Sequence, residues 1–113
     1  MRLVHRDLDI VIAGDVEVAD SFLARARGLM FRRSIPEDYA LVFEFGEPVT
    51  RSLHMLCVPF PIDALWLVDG EVTRTAHLDA WTGFGRGRAD TIVELPAGAA
   101  EGVREGDRVV LQG

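Results

Sequence analysis

The chain contains no lysine and no asparagine, and all 12 of its bases are arginine. Lysine is ordinarily among the commonest residues, so its absence marks a compositional bias. Hyperthermophile proteins lean toward Lys and Glu, which argues against that kind of adaptation. An acidic, lysine-free surface suits a salt-rich cytoplasm, where self-repulsion is screened. A GC-rich genome choosing arginine codons accounts for it equally well. The single cysteine, Cys57, excludes an internal disulfide and fits a reducing compartment. No run approaches the roughly 20 apolar residues of a membrane helix, and charge at Arg2, Arg6 and Asp7 interrupts any signal-peptide core. A cytoplasmic location is the expectation. The net charge of −6, from 18 acids and 12 bases, argues against a nucleic-acid binder or a polybasic membrane ligand.

What is present is hydrophobic and finely patterned. At 113 residues and 49% hydrophobic, the chain is expected to form one domain over 1–113, stabilised by burial. Leu8–Ile12 and Val16–Ala19 alternate as strands, with a turn at Ala13-Gly14-Asp15. Asp20 and Ser21 can cap a helix over Phe22–Arg27, and Gly28 can end it in the left-handed region. Tyr39–Phe45 reads as a strand broken by Gly46-Glu47-Pro48, and 51–58 as another that stops at Pro59-Phe60-Pro61. Ile62–Val68 reads as a central strand. Asp69-Gly70 predicts a type I′ hairpin in which Val68 faces Glu71, Trp66 faces Thr73 and Ile62 faces His77. Residues 78–90 are Gly-rich and read as an irregular loop; 90–95 and 108–111 complete the strands. The predicted fold is mainly β (α+β): a small barrel or sandwich of seven to eight short strands with one packed helix.

Several stretches resemble the uncharacterised family known as domain of unknown function one hundred and ninety-two. They are Val16–Asp20, then Arg27-Gly28-Leu29-Met30-Phe31-Arg32 with Pro36-Glu37-Asp38, then Pro61-Ile62-Asp63, Glu94-Leu95-Pro96-Ala97-Gly98 and Gly106-Asp107. The resemblance runs in order from residue 16 nearly to the end. It implies a small β-rich fold with one helix and transfers no activity. Where many members carry Trp-Met-Lys-Asn-Thr, this chain reads His54-Met55-Leu56-Cys57-Val58.

Candidate chemistry is sparse. His54, Met55, Cys57 and Met30 are soft-metal ligand types, but strand alternation separates them, so no metal and no cofactor is expected. Asp63 stands inside an apolar strand and must be paired or hydrogen-bonded. The hairpin register sets it opposite Ala76 with Arg74 one diagonal step away, predicting an Asp63–Arg74 bridge or a carboxylate that satisfies amides of the proline turn. Cys57, between Leu56 and Val58, reads as an inert thiol. Gly83-Phe84-Gly85-Arg86-Gly87-Arg88 precedes a strand and so is no dinucleotide loop. Arg27 and Arg32 flank the helix end and suit anion recognition; the structural alternative pairs Arg32 with Glu37 or Asp38. The sequence therefore supports a non-enzymatic domain for a small anionic ligand or a protein partner. Its site is expected near the loop at Trp81, Phe84, Arg86 and Arg88, with His54, Asp63, Arg27 and Arg32 as further candidates. The alternative is an enzyme using Asp63 and a histidine, His54 or His77, as acid and base.

Overall fold

The computed structural model describes residues 1–19, 21 and 27–113. Eight strands form two sheets: β1 (Arg2–His5), β2 (Ile10–Ala13), β3 (Asp15–Ala19), β4 (Tyr39–His54), β5 (Ile62–Val68), β6 (Glu71–Leu78), β7 (Phe84–Pro96) and β8 (Val109–Gln112). The small sheet has the order β2-β1-β8 and the large one β3-β4-β7-β5-β6. The arrangement is mainly β and layered, without a closed barrel. The helix expected over Phe22–Arg27 falls almost wholly outside the described residues, among which all eight regular elements are strands. Gly28 does take a left-handed φ of 52°.

Pairing is antiparallel except between β3 and β4. A parallel pair requires a crossover, and residues 20–38 supply it. Its described residues from Arg27 onward place Leu29 against one face of the large sheet, beside the site described below.

Both faces of the large sheet are buried because its strands alternate two apolar sets. Tyr39, Leu41, Phe43, Ile62, Ala64, Trp66 and Ile92 pack together with Leu29, Leu53, Met55 and Val58 on one face. Ala40, Val42, Leu65, Leu67, Val93 and Leu95 pack on the other against Leu3, Ala13 and Val109 of the small sheet. Two strands are longer than expected. Gly46-Glu47-Pro48 does not end β4; it lies in a bulge between Glu44↔Thr91 and Val49↔Ala89, where the proline needs no ladder donor. Residues 84–90 are not an irregular loop but the first half of β7, paired to β4 from Val49 to His54. Their glycines face Trp66, which is fully buried: a Cβ on Gly85 would lie 2.7 Å from Trp66 Cη2, and one on Gly87 2.9 Å from its Cγ. The glycines make room for an indole.

The Asp69-Gly70 turn has φ of 51° and 80°, as a type I′ hairpin requires, and Val68 faces Glu71. Beyond it the register differs by one residue from expectation. Trp66 faces Arg74 and Ile62 faces Leu78, because Thr73 is inserted as a bulge. Its Oγ1 donates toward Trp66 O and Arg88 O at 3.2 and 2.5 Å. Asp63 consequently stands opposite His77, not Ala76.

Candidate functional site

The register correction decides the fate of Asp63. Its Oδ1 lies 3.1 Å from His77 Nδ1, and its Oδ2 accepts the Gly98 and Ala100 amides at 3.0 Å each. The predicted Asp63–Arg74 bridge is absent among the described residues. Arg74 instead sits 5.6 Å over the Trp66 ring and donates to Arg86 O. Asp63 does satisfy turn amides, but those of the turn after Pro96 rather than the Pro59-Phe60-Pro61 turn. Every oxygen of this buried carboxylate is occupied.

Glu94 presents the opposite case. It enters β7 between Leu41 of β4 and Ala64 of β5, facing the crossover segment. The residue is 4% exposed, and its Oε1 has no hydrogen-bond partner among the described residues. Burial pushes its carboxyl from the ordinary 4.5 up to about 8, against a smaller opposing pull from Arg32. At neutral pH it is therefore largely a neutral acid. The cavity it lines is about 260 Å³. Leu29, Met30, Phe43, Leu53, Val58 and Ile92 make apolar walls, and Arg27, Ser52 and His54 are also among the lining residues. Gly28 forms part of the lining; its φ of 52° disfavours a side chain, and a Cβ there would press on Phe43 Cζ at 3.2 Å and lie in contact with Glu94 Oε1 at 3.5 Å.

Backbone hydrogen bonds tie together the segments that follow the lining residues Met30, His54 and Val58. Phe31 N donates to Cys57 O at 2.8 Å, Trp81 N to Val58 O at 3.0 Å, and Met55 N to Gly83 O at 3.0 Å. Phe31, Cys57 and Trp81 all have positive φ, at 68°, 61° and 66°, a conformation costly for side chains of this size. Phe31, Leu56, Trp81 and Phe84 are exposed along these segments. Beside the cavity, Arg32 donates to Tyr39 Oη at 3.0 Å and to Glu17 Oε1 at 3.3 Å, while Tyr39 donates to Glu17 at 2.5 Å. Arg32 thus pairs with Glu17, not with Glu37 or Asp38; Asp38 instead accepts the Gly14 amide. The Tyr39 phenol is pushed up to about 12, by burial first and then by Glu17. Its hydrogen bond is the chief reason the Glu17 carboxyl is lowered.

The residues singled out in the sequence fall into three places. Arg27 and His54 line the Glu94 cavity, and Arg32 flanks it. Phe84, Arg86 and Arg88 project from the exposed side of β7, opposite His54, Ser52 and Thr50, with Trp81 on the preceding turn. Asp63 and His77 line a separate groove of about 170 Å³. His54 does not meet His77 in any hydrogen bond among the described residues; its Nδ1 accepts the Leu56 amide. Glu94 was missed, although an acid inside Ile92-Val93-Glu94-Leu95 carries the same signal that drew attention to Asp63.

Two other features compete for attention. A larger groove, about 400 Å³, lies between the sheets beside β8, lined by Leu67, Val93 and Leu111 among others. On its rim Arg108 donates to Asp69 O at 3.0 Å. His5, Asp7 and Asp107 place ligand atoms within 4.8 Å of one another. There, too, the groups are committed: His5 Nε2 is 2.8 Å from Asp107 Oδ2, which accepts the Arg104 amide, and Asp7 accepts the Arg108 amide. The unpartnered carboxyl therefore distinguishes the Glu94 cavity.

The architecture recurs in solved proteins. One from Sinorhizobium meliloti 1021, described as a candidate transcription regulator, superposes with a TM-score of 0.78 at 28% identity, over 96% of this chain and 89% of that one. A protein of unknown function from Novosphingobium aromaticivorans shares the fold with a TM-score of 0.75 at 24% identity, over 85% and 74% of the two chains. A UPF0127 protein of Pyrococcus horikoshii is 31% identical over 95% of this chain and 96% of its own length. A UPF0127 protein of Thermococcus sibiricus is also 31% identical, over 88% of this chain and 66% of its own length. The family model for DUF192, an uncharacterised conserved group, matches residues 4–111. The chain belongs to this family of unknown function.

Proposed function

We propose that the protein is a non-enzymatic binding domain for a small ligand, seated in the Glu94 cavity with its apolar part against Met30, Phe43 and Ile92. The observation that carries this reading is the buried, unpartnered Oε1 of Glu94, a residue that lines the cavity. Leaving a buried polar atom unmade costs about 1–3 kcal/mol, and a ligand atom that fills the vacancy recovers that cost. An apolar pocket with a few convergent polar groups is the form that small-molecule sites take. At about 260 Å³ the cavity suits something smaller than a drug-sized molecule. We place the protein in the cytoplasm as a single domain over 1–113, on the strength of its lone cysteine and its composition. The net charge of −6 weighs against extending to this chain a role in direct contact with nucleic acid.

A thermal-shift screen of small organic acids, amines, alcohols and sugar phosphates tests the reading. A ligand at 100 times its dissociation constant adds about 2.7 kcal/mol of stability, an easily seen rise in midpoint. The rise should vanish in Met30→Trp, which adds bulk at a residue of the cavity lining. Hits that persist in that variant would move the site elsewhere.

A second reading, an enzyme using Asp63 and a histidine, has one observation in its favour: the Asp63–His77 contact at 3.1 Å. The two amides on Asp63 Oδ2 favour a turn clamp instead. Measuring turnover of hits from the same screen in Asp63→Asn and His77→Gln separates the two.

A further inference from the structure

The class of ligand can be narrowed by the chemistry that meets in the cavity, given the binding function proposed above. Among the described residues, the groups facing Glu94 come from three directions. The crossover contributes Arg27 on the lining and Arg32 close enough to act on its charge. The end of β4 contributes Ser52 and His54. On the third side β5 offers only Ala64 as cross-strand neighbour. Glu17 and Tyr39 stand behind Arg32 and are occupied by it. Arginine, serine and histidine side chains all carry donors, the histidine through Nε2–H even when neutral because its Nδ1 accepts the Leu56 amide. Glu94 joins them as a donor whenever it holds its proton.

We propose that the cavity takes a small monocarboxylate with an apolar body, its carboxylate held by a hydrogen bond from the Glu94 carboxyl and by the cationic Arg27. An organic cation would have to enter past Arg27 and displace a proton from Glu94. A carboxylate uses each polar group in the state the fold already gives it. Burial keeps Glu94 protonated at neutral pH, and a neutral acid in an apolar site is a strong donor to an anionic oxygen. The charged head then meets arginine while the hydrocarbon lies against Leu53, Val58 and Ile92.

The test is an NMR titration of the labelled protein with phenylacetate, and with phenethylamine and phenylethanol as probes of similar shape and different charge. Phenylacetate should move the amide resonances of Gly28, Met30 and Leu53. Its affinity should hold up to about pH 8 and then fall about tenfold per pH unit as Glu94 ionises. Glu94→Gln keeps a donor in place and should bind phenylacetate without that fall, whereas Glu94→Ala should lose most of the affinity. The wild-type pH profile decides the matter even if a variant fails to fold. Preference for phenethylamine, tightening as pH rises, would overturn the carboxylate class and leave the binding site standing. Phenylacetate binding that is flat in pH and unchanged in Glu94→Ala would overturn the role of Glu94. If none of the three probes perturbs the cavity, both the ligand class and the site are wrong.

Discussion

Asp63 and Glu94 lie on neighbouring strands, one residue apart in register and on opposite faces of the same sheet. Both are buried carboxylates in apolar strands, at 8% and 4% exposure. Asp63 is enclosed by partners: a histidine on one oxygen and two turn amides on the other. Glu94 keeps an oxygen with none among the described residues, and burial raises its pKa to about 8. Burial alone therefore does not separate the two acids; what the surrounding backbone leaves unmade does. Asp63 faces the crowded joint beneath the small sheet, where a turn closes on it. Glu94 faces a crossover whose glycine stands back from it.

The comparison breaks most visibly under a change of pH. The folded chain holds the Glu94 proton up to about pH 8, while the unfolded chain releases it near 4.5. Between those values the folded state binds more protons, so this group's contribution is complete below about pH 4.5 and is lost as pH rises through about 8. Glu94→Gln should remove that slope. Urea unfolding of both proteins should find them similar near about pH 5 and the variant more stable by several kcal/mol near about pH 9. Parallel curves across that range would mean that Glu94 is satisfied in solution.

Asp63→Ala should cost about 3 kcal/mol, because the Gly98 and Ala100 amides are left without an acceptor. Denaturant midpoints measure it directly, and amide hydrogen exchange should show the 96–100 turn opening first. A loss below about 1 kcal/mol would make Asp63 no more of a clamp than an exposed pair. Gly85→Ala probes the packing of Trp66 on the face of the sheet that also carries Glu94. Its Cβ would meet Trp66 Cη2 at 2.7 Å, so a penalty of about 1–3 kcal/mol in thermal unfolding is expected.

How much of this was legible in the sequence depends on how local the cause is. The Asp69-Gly70 turn was readable because two residues carry the whole signal, and Ile62–Val68 because burial on both faces leaves a continuous apolar run. The register beyond the turn was not, since the Thr73 bulge is fixed by bonds to Trp66 O and to Arg88 O on another strand. The glycines at 83, 85 and 87 do alternate with Phe84, Arg86 and Arg88, which is a strand period. Without Trp66 in view, that alternation reads as loop composition. Arg27 and His54 were selected for their chemistry and do line the cavity, while Trp81, Phe84, Arg86 and Arg88 were selected for a loop that is largely a strand. Glu94 was hidden because nothing in Ile92-Val93-Glu94-Leu95 tells a paired acid from an orphan. That difference lies in what the crossover withholds.

The smallest effect is also the sharpest test of isolation. Among the described residues Arg32 is the charge that pulls against burial at Glu94, and it is itself tied to Glu17 and Tyr39. Arg32→Gln removes that pull without touching the cavity walls named above, so the Glu94 carboxyl should titrate at slightly higher pH than in the parent. A carbon-13 titration of the Glu94 side chain reads this directly. A downward move would show that solvent enters when Arg32 is lost, so that the arginine had been sealing the cavity rather than charging it. An upward move confines the electrostatic reach of the Arg32–Tyr39–Glu17 cluster to a modest correction, and leaves burial as the reason this acid, unlike Asp63, stays ready for a partner from outside the chain.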